Sequence, residues 1–290
     1  MNIENDFRWG ACPLCGSNEI QAIGGIDYRT PVMFSTLDVE LEKKPELYTC
    51  ETCNSWFTQN IVCEDSAFEM YCQGQSCDKW PRKIDFSESK SANIIQRLDR
   101  YFHKDRSVLD IGCNTGELLD YARGKGCVTT AVEPSVASQD ILKEKGHNSF
   151  SSIESVTEKY DVITAFDLIE HLYDLPAFFE AVSNRLVDGG VIVLLTGDIQ
   201  SLSARLSKNH WWYLKAPEHI TFPSRHFLNN IDGLEVVSID ETYASSGYDR
   251  SLFLGVAQYI RKALFWSGYD GLPSLGPDHM LVALKKVEKE

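Results

Sequence analysis

The chain has 290 residues, with 42 acidic and 28 basic side chains and a formal net charge of −14. This length suffices for one large domain with an appended module, and this charge disfavours a broad electrostatic grip on nucleic acid or an anionic membrane. Apolar runs fall short of the roughly 20 residues that span a bilayer, and the first residues lack the features of a secretion signal. Nine cysteines, an odd number without such a signal, indicate reduced thiols, so we expect a cytoplasmic protein.

Two Cys-x-x-Cys knuckles come first in the chain. Cys12 and Cys15 form one, Cys50 and Cys53 form the other, and residues 16–49 separate them. Paired knuckles can bring four thiolates onto one tetrahedral ion, and zinc suits that ligand set. A reducing compartment disfavours disulfides, and the pairing disfavours unrelated buried thiols. The pattern therefore predicts a zinc-ribbon-like module with strands at 36–41 and 48–50, in which four thiolates close a structural rather than catalytic site.

A less regular stretch follows the knuckles. Cys63, Cys72 and Cys77 have spacings that fit no usual ligand pattern, so we interpret them as scattered thiols. Apolar residues then recur at helical spacing and predict an amphipathic helix over 87–104, namely Ile94, Ile95, Leu98 and Phe102. We place a domain boundary near residue 85, with the module and connector at 1–85 and a larger domain at 86–290.

An apolar strand at 108–111 leads into a glycine turn and a helix that begins near Glu117. Asp110 lies at the strand tip, and Gly112 and Gly116 let the backbone turn tightly and approach a ligand closely. A pyrophosphate binds best to backbone N–H groups without a carboxylate nearby, and the G-x-G-x-x-G spacing of dinucleotide folds is missing. The turn therefore favours a cofactor with an ammonium, a sulfonium and no phosphate, which is S-adenosylmethionine.

A second acidic strand tip supports this cofactor. Glu133 lies 23 residues after Asp110, at the end of a strand predicted at 128–133, and Pro134 follows it. The second strand of a βαβ unit delivers a carboxylate to ribose hydroxyls at about this distance. Any α/β protein can place an acidic residue there, so the prediction depends on the turn and the carboxylate together.

Residues from about 90 to 286 resemble a class I S-adenosylmethionine-dependent methyltransferase. The resemblance is carried by 110–116 (DIGCNTG), 131–134 (AVEP) and 166–172 (FDLIEHL), the last being similar to quinone-pathway and sugar-modifying members. The family often has glycine in place of Asn114, but asparagine tolerates left-handed backbone. Zinc ribbons also precede such domains in methyltransferases of sugar and surface-polysaccharide pathways. The cofactor-binding residues that follow are Asp110, Gly112, Asn114, Gly116, Glu133, Pro134, Ile153, Asp167 and Leu168.

Strands and helices alternate through the larger domain. Helices are predicted at 137–145 and from Asp174 and Pro176 to Gly189 and Gly190, the second with a buried stripe of Phe179, Val182 and Leu186. Further strands are predicted at 148–151, 160–166, 191–195, 234–243 and 280–287, the last antiparallel. The alternation predicts an α/β fold with a doubly wound, mostly parallel sheet of seven strands.

The end of the fourth strand carries three polar side chains, Asp167, Glu170 and His171. Ligands of open α/β sheets bind beyond the carboxyl ends of the strands. One hypothesis makes His171 a general base tuned by Glu170 or Asp167. A second, suggested by the resemblance to quinone-pathway O-methyltransferases, has all three bind a divalent metal. The alternative is that Glu170 and His171 form a hydrogen-bonded structural pair.

Aromatic residues, two histidines and a proline concentrate at 209–222, beyond the fifth strand. Tryptophan and tyrosine faces suit sugars or aromatic substrates, and core packing under a long loop is the alternative. The family resemblance continues in Pro217-Glu218-His219, which relatives place beside the substrate pocket, so His219 is a second candidate base. We interpret His210 and His226 as structural or surface residues.

An insertion at about 244–279 separates the last two strands. Apolar residues recur at helical spacing within 251–266, namely Phe253, Val256, Ile260 and Leu264, and only Arg261 and Lys262 are basic there. Membrane anchoring usually needs a strongly basic opposite face, so a substrate lid or a homodimer contact is favoured.

These features predict a methyltransferase acting by O- or C-methylation on a small molecule, either a sugar nucleotide or a phenolic or quinone-like metabolite. His171 or His219 would act as base, with Glu170 beside them. The alternatives are an RNA-directed methyltransferase or a zinc-ribbon nucleic-acid-binding protein, both disfavoured by the acidic charge, and a nicotinamide dehydrogenase. We expect neither nucleic acid nor membrane as a partner.

Overall fold

The computed structural model describes residues 2–74, 92–243 and 271–287, together with positions 256, 260 and 264. Cys77, the predicted domain boundary near 85, the start of the helix predicted at 87–104 and most of the insertion lie outside the described residues. Val256, Ile260 and Leu264 are helical and exposed. Within the described ranges, each helix is too short or too polar to cross a membrane.

The described N-terminal residues form six strands and one helix. β2, β5 and β6 pair antiparallel, while β1, β4 and β3 form a second small sheet. The strands predicted at 36–41 and 48–50 correspond to β4 and β5. The bounds are β1 (Asn2–Ile3), β2 (Ile20–Gly25), β3 (Val32–Phe34), β4 (Leu37–Leu41), β5 (Glu46–Cys50), β6 (Trp56–Gln59) and α1 (Glu64–Gln73).

The rest of the described chain builds a sheet of seven strands with flanking helices. The elements of this part of the chain are α2 (Ala92–Leu98), β7 (Ser107–Ile111), α3 (Glu117–Gly124), β8 (Val128–Val132), α4 (Val136–Glu144), β9 (Asn148–Phe150), β10 (Tyr160–Phe166), α5 (Leu175–Arg185), β11 (Leu186–Gly197), α6 (Leu202–Ser207), β12 (Thr221–Phe222), α7 (Arg225–Leu228), β13 (Leu234–Thr242) and β14 (His279–Lys286), and all of these strands except β12 belong to the seven-stranded sheet. The order is β13-β14-β11-β10-β7-β8-β9, and β14 is the one of these seven strands that runs opposite to the other six. The predicted fold class is confirmed.

The start of α5 agrees with the sequence, and its end does not. The Asp174 carboxylate accepts a hydrogen bond of 2.8 Å from the N–H of Ala177, which caps the helix as predicted. The prediction that Gly189 and Gly190 end this helix is wrong, because α5 ends at Arg185 and both glycines belong to β11. Leu186, predicted for the helical stripe, already pairs with β10 as the first residue of β11.

A bulge explains this difference. Tyr160 pairs with Leu186 and Val162 pairs with Val191, so β11 places extra residues opposite a short piece of β10. Gly189 takes a φ of 74° within the bulge, which is a use of glycine other than ending a helix. A second helix also ends earlier than predicted: α2 ends at Leu98 rather than at 104, although Phe102 still packs in the core.

The N-terminal strands and the large sheet share one hydrophobic core. β12 pairs antiparallel with β6, so a strand from the larger domain completes the order β12-β6-β5-β2. Cys12, Cys53 and Phe57 belong to the same buried cluster as Leu109 and Phe179. The cysteine-bearing strands are therefore packed into the body of the molecule, while the boundary near 85 stays a prediction.

Candidate functional site

The turn after β7 holds three residues with left-handed backbone. The φ angle is 74° at Gly112, 48° at Asn114 and 81° at Gly116. A Cβ atom at Gly112 would lie 3.0 Å from the side chain of Leu168, and one at Gly116 would lie 2.6 Å from that of Leu142. The left-handed backbone therefore favours glycine at both positions, and a Cβ at Gly116 would in addition force the Leu142 side chain to shift. Asn114 adopts the conformation that the sequence predicted it to tolerate.

Asp110, near the end of β7, has a buried carboxyl group. It accepts a hydrogen bond of 2.6 Å from the hydroxyl of Thr164 on β10. Burial raises the pKa of Asp110 to about 7, and the carboxylates of Glu117 and Glu133 act in the same direction. A cation bound beside Asp110 would favour its ionised form, so this position attracts positive charge and repels phosphate.

Glu133 follows β8 and is also buried. Its two carboxylate oxygens accept hydrogen bonds from the N–H groups of Asn114 and Ser135, each 2.9 Å long. Burial raises the pKa of Glu133, and these two bonds oppose the rise. A carboxylate has about four acceptor positions, so Glu133 retains capacity for hydroxyl donors. The Ser135 hydroxyl in turn donates to the carbonyl of Gly74 at 2.9 Å, which brings the chain after α1 beside this carboxylate.

The other predicted cofactor residues lie beyond neighbouring strands of the sheet. Pro134 follows β8, and Ile153, after β9, begins a short 3-10 helix (Ile153–Ser155) and packs against the core. Asp167 and Leu168 follow β10, where Asp167 has a φ of 47°. All of the predicted cofactor residues therefore lie at the carboxyl ends of β7, β8, β9 and β10, which are adjacent in the sheet.

Glu170 lies in a 3-10 helix (Ile169–His171) after β10 and is fully buried. Its carboxylate accepts hydrogen bonds from the hydroxyls of Tyr213 and of Thr196, the latter at 2.9 Å. Burial raises the pKa of Glu170 to about 7, and Asp167 acts in the same direction. Because both bonds come from Thr196 and Tyr213, the Glu170 carboxylate is held in place independently of His171.

Two histidine rings meet edge-on beside this carboxylate. The centroids of His171 and His219 are 4.7 Å apart, and Nδ1 of His171 lies 3.0 Å from the hydroxyl of Tyr71 on α1. Nδ1 of His219 lies 2.7 Å from the carbonyl oxygen of Tyr213. Because a carbonyl only accepts, this Nδ1 carries the proton and Nε2 carries the lone pair. Burial lowers the pKa of His171 to about 4 and that of His219 well below its usual value.

The structure groups these residues differently from the predicted trio. Potential ligand atoms of Glu170, His171 and His219 all lie within 4.8 Å of one another, so this set could hold a divalent ion. Asp167 acts on Glu170 electrostatically but is outside that set. The sequence thus predicted Glu170 and His171 as neighbours, and the fold adds His219 from 48 residues further along the chain.

The aromatic run at 209–222 is largely core. Trp211 and Tyr213 are buried, as the packing alternative predicted, and only Trp212 is partly exposed. His210 bonds through Nδ1 to Asp27 at 2.6 Å, and His226 is exposed on α7.

Sequence reasoning missed three polar residues at this edge of the sheet, Tyr71, Asp278 and His279. Asp278 accepts hydrogen bonds from the indole N–H groups of Trp212 at 2.6 Å and Trp211 at 3.2 Å. Its second carboxylate oxygen lies 2.9 Å from Nδ1 of His279. Nε2 of His279 is buried and has no hydrogen-bond partner among the described residues. A polar pair at the start of an apolar final strand was the available signal for Asp278 and His279, whereas nothing near Tyr71 marks it.

The N-terminal strands hold the backbone of this site. Thr58 of β6 donates its hydroxyl to the carbonyl of His219 at 3.2 Å and its N–H to the carbonyl of Ile220 at 2.8 Å. The hydroxyl of Ser224 donates to the carbonyl of Cys53. The chain that carries His219 is therefore fixed by the cysteine-bearing strands.

The four predicted cysteines converge. Sγ of Cys12 lies 3.7 Å from that of Cys53, Sγ of Cys15 lies 3.6 Å from that of Cys50, and all four lie within 4.8 Å of one another. Zn–S bonds of about 2.3 Å in a tetrahedron place sulfur atoms about 3.8 Å apart, so the spacing fits zinc. The described cysteines are free thiols, and Cys63 and Cys72 stand apart from the cluster.

The local fold of each knuckle explains the convergence. The residue after the second cysteine has left-handed backbone, with φ of 73° at Gly16 and 58° at Asn54. The N–H of Gly16 donates to Cys12 and that of Asn54 to Cys50, both at 2.9 Å to the carbonyl oxygen. Each turn thereby directs two sulfurs to one side.

Comparison with known proteins identifies methyltransferase relatives. A family model described as a methyltransferase domain matches residues 86–236. Ubiquinone biosynthesis O-methyltransferase of Bradyrhizobium sp. (strain ORS 278) is 30% identical over 135 residues, which cover 43% of this chain and 48% of that protein. The chain thus spans about half the length of the curated relatives that it matches.

Two solved structures are similar at low identity. Coclaurine N-methyltransferase bound to N-methylheliamine and S-adenosylhomocysteine shares 18% identity at a TM-score of 0.47, over 76% of this chain and 80% of that chain. Geranyl diphosphate C-methyltransferase from Streptomyces coelicolor A3(2), with Mg²⁺, geranyl-S-thiolodiphosphate and S-adenosylhomocysteine, shares 17% identity at a TM-score of 0.46, over 68% of this chain and 76% of that chain.

Proposed function

Because the chain belongs to the methyltransferase-domain family, we propose that it transfers a methyl group from S-adenosylmethionine to a small-molecule acceptor. The observation that carries the proposal is the pair of buried carboxyl groups, Asp110 and Glu133, on either side of a turn whose left-handed backbone favours glycine. A cationic nucleoside fits this arrangement, and a dinucleotide pyrophosphate does not.

The residues at these strand ends have separate roles in cofactor binding. Glu133 would accept hydrogen bonds from the two ribose hydroxyls, using the acceptor positions left beside its bonds to Asn114 and Ser135. Asp110 and the turn at 112–116 would hold the positively charged methionine end. Ile153 and Leu168 supply apolar contacts at the neighbouring strand ends. When bound, the cofactor supplies an electrophilic methyl group on sulfur.

His219 supplies the base. The proton on Nδ1 of His219 is held by the carbonyl of Tyr213, so Nε2 is free to take a proton from an acceptor hydroxyl or from an acidic C–H group. The acceptor atom forms its bond to the methyl carbon as the carbon–sulfur bond breaks, and the electron pair stays on sulfur. Glu170 supports an imidazolium near it, since its carboxyl group becomes anionic near neutral pH.

In this proposal Tyr71 and His171 hold the ring of His219 in place and do not take part in the reaction themselves. The hydroxyl of Tyr71 forms a hydrogen bond of 3.0 Å with Nδ1 of His171, and the two rings lie edge-on. His171 in turn contacts the ring of His219 and limits its orientation. The acceptor is either a phenolic or quinone-like metabolite, which is in line with the relatives' name, ubiquinone biosynthesis O-methyltransferase, or the sugar of a nucleotide.

The four-cysteine cluster holds a structural zinc ion. Four thiolates leave no ligand position for substrate, and the cluster lies in the shared core. Its contribution is to fix β5 and β6, and through Thr58 the backbone of His219.

Calorimetry tests the cofactor assignment directly. The parent protein should bind S-adenosylhomocysteine and not NAD, and Glu133→Ala should abolish this binding while far-ultraviolet circular dichroism stays unchanged. Equal affinity of parent and variant, or binding of NAD instead, would contradict the proposal. Gln139→Ala is a matched control, because Gln139 bonds to the Glu133 carbonyl and not to its carboxylate.

Radiolabelled transfer identifies the acceptor class. Tritiated S-adenosylmethionine is incubated with a catechol such as 3,4-dihydroxybenzoate and, separately, with a 4-keto-6-deoxy sugar nucleotide. His219→Gln should lower transfer to the accepted class by about 10²–10⁴-fold without changing cofactor affinity. His226→Gln, an exposed histidine, should leave both unchanged.

A further inference from the structure

A cleft of about 500 Å³ lies between the cysteine-bearing strands and the chain that leads to the histidines. Its volume falls within the range of about 300–1,000 Å³ that is usual for small-molecule sites. One wall is formed by Gln21, Ile23, Thr49 and Trp56 from β2, β5 and β6, and the other by Arg205 and Lys208.

The charge in this cleft is opposite to that of the whole protein. Arg205 and Lys208 line it, and none of its lining residues is acidic, although the chain carries a net charge of −14. Neither cation forms an ion pair with another described residue. Acidic side chains on the adjoining segments are engaged elsewhere, because Asp27 pairs with His210 at 2.6 Å and Asp198 pairs with Arg225 at 2.6 Å. The cleft is therefore suited to an anion.

The two walls are fixed against each other before any ligand binds. The side-chain amide of Asn209 donates to the carbonyl of Gly25 at 2.9 Å, and His210 bonds to Asp27. A Cβ atom at Gly24 would lie 3.2 Å from the Asn209 side chain, which shows how closely these segments approach. The backbone of such a cleft loses little conformational entropy when the cleft is filled, whereas the exposed side chains of Arg205 and Lys208 become ordered on the ligand.

Lys208 is held in a backbone conformation that side-chain-bearing residues rarely adopt. Its φ is 49° and its ψ is −123°, at the junction between α6 and the following 3-10 helix (Lys208–His210). Strained backbone of this kind persists only where surrounding contacts enforce it, and it concentrates at ligand sites. Here the strained residue places a cation in the lining of the cleft, next to the fixed Asn209.

The opposite wall offers an aromatic face. Trp56 is half-buried, and its backbone is fixed on both sides by pairing with Thr49 of β5 and Phe222 of β12. Within the described residues β2 is the edge of this sheet, so its outer N–H and C=O groups can bond a ligand. A planar ring can stack on Trp56 while anionic groups reach Arg205 and Lys208.

We propose that this cleft binds the nucleoside diphosphate part of the methyl acceptor, which makes the acceptor a sugar nucleotide rather than a phenol. The inference rests on the proposed methyltransferase function and narrows its substrate class. The strand β6 connects the cleft to the histidines, since Trp56 lines the cleft and Thr58, two residues later, donates its hydroxyl to the carbonyl of His219 at 3.2 Å. The base stacks on Trp56, the diphosphate pairs with both cations, and the sugar extends towards His219.

Calorimetry on the 290-residue, zinc-loaded protein saturated with S-adenosylhomocysteine tests the site. The probes are UDP, dTDP and inorganic pyrophosphate. Arg205→Ala combined with Lys208→Ala should weaken binding of the preferred nucleotide at least tenfold, and Trp56→Phe should weaken nucleotide but not pyrophosphate. The control is Lys143→Ala combined with Lys159→Ala, which removes two exposed cations outside the cleft and should leave nucleotide affinity unchanged.

The outcomes separate this proposal from the proposed function. Absence of nucleotide binding by the parent protein, or equal affinity in parent and cleft variants, would overturn the proposal while binding of S-adenosylhomocysteine still supports a methyltransferase. Pyrophosphate binding as tight as that of UDP and dTDP would overturn the nucleoside assignment, because stacking would then contribute nothing. Loss of S-adenosylhomocysteine binding in the parent would refute the proposed function itself.

Discussion

Replacing Asp110 by asparagine should make the cofactor-free protein more stable and should weaken cofactor binding. The side chain is buried and has a pKa raised from 3.8 to about 7, chiefly by burial. Asparagine has the same shape and can still accept the hydrogen bond that Thr164 donates at 2.6 Å. The variant therefore removes an unfavourable buried charge and little else.

The size and direction of the effect follow from linkage. Between pH 3.8 and about 7, folded Asp110 binds a proton that the unfolded chain has released, so stability falls as pH rises through this window. A pKa difference of one corresponds to about 1.4 kcal/mol, so the ionised carboxylate costs about 4 kcal/mol above pH 7. For a chain of this size that amounts to a melting temperature higher by about 8 °C in Asp110→Asn.

Thermal unfolding between pH 4 and 9 measures this directly. Parent and variant should have the same melting temperature near pH 4, and their melting temperatures should diverge progressively up to about pH 7. Addition of S-adenosylhomocysteine should raise the melting temperature of the parent more than that of the variant. Asp140→Asn, at an exposed position on α4, should show neither effect. A stability difference that does not change with pH, or a variant that is less stable at every pH, would contradict a raised pKa of Asp110 in the folded protein.

Three further outcomes are expected. Cys53→Ser should reduce zinc from about one ion per chain to nearly none by elemental analysis and lower the melting temperature, whereas Cys63→Ser, exposed and outside the cluster, should change neither. Gly116→Ala should destabilise the fold by about 1–3 kcal/mol in denaturant titration, because φ is 81° and the new Cβ would meet Leu142 at 2.6 Å; unchanged stability would show that the turn can relax. His279→Gln should slow methyl transfer at unchanged cofactor affinity if its unpartnered Nε2 contacts the acceptor; full activity would limit His279 to packing.

Local patterns were sufficient to predict the parts of the structure that local chemistry determines. Left-handed backbone at Asn114 follows from what asparagine tolerates, and convergence of the cysteines follows from the geometry of a two-residue knuckle. The seven-stranded sheet followed from alternating periodicities. The end of α5 did not, because Gly189 serves a bulge that depends on the register between β10 and β11.

The candidate site was predicted only where its residues lie close to a strand end. Glu170 and His171 could be found from their position after β10, whereas Tyr71 reaches His171 from 100 residues away. Asp278 meets Trp212 across 66 residues, through hydrogen bonds that no local pattern specifies. Burial of Trp211 and Tyr213 likewise depends on the cysteine-bearing strands that cover them, which a periodicity cannot show.

The hydrogen bonds from Thr58 to His219 and Ile220 affect how chelation experiments should be interpreted. A chelating agent that removes the proposed zinc ion would loosen β6 and, with it, the backbone of the candidate base. Turnover would then stop even though the ion never touches the reactants. Inhibition by such an agent would therefore report on the scaffold, and only a donor-binding measurement on the stripped protein could separate the two effects.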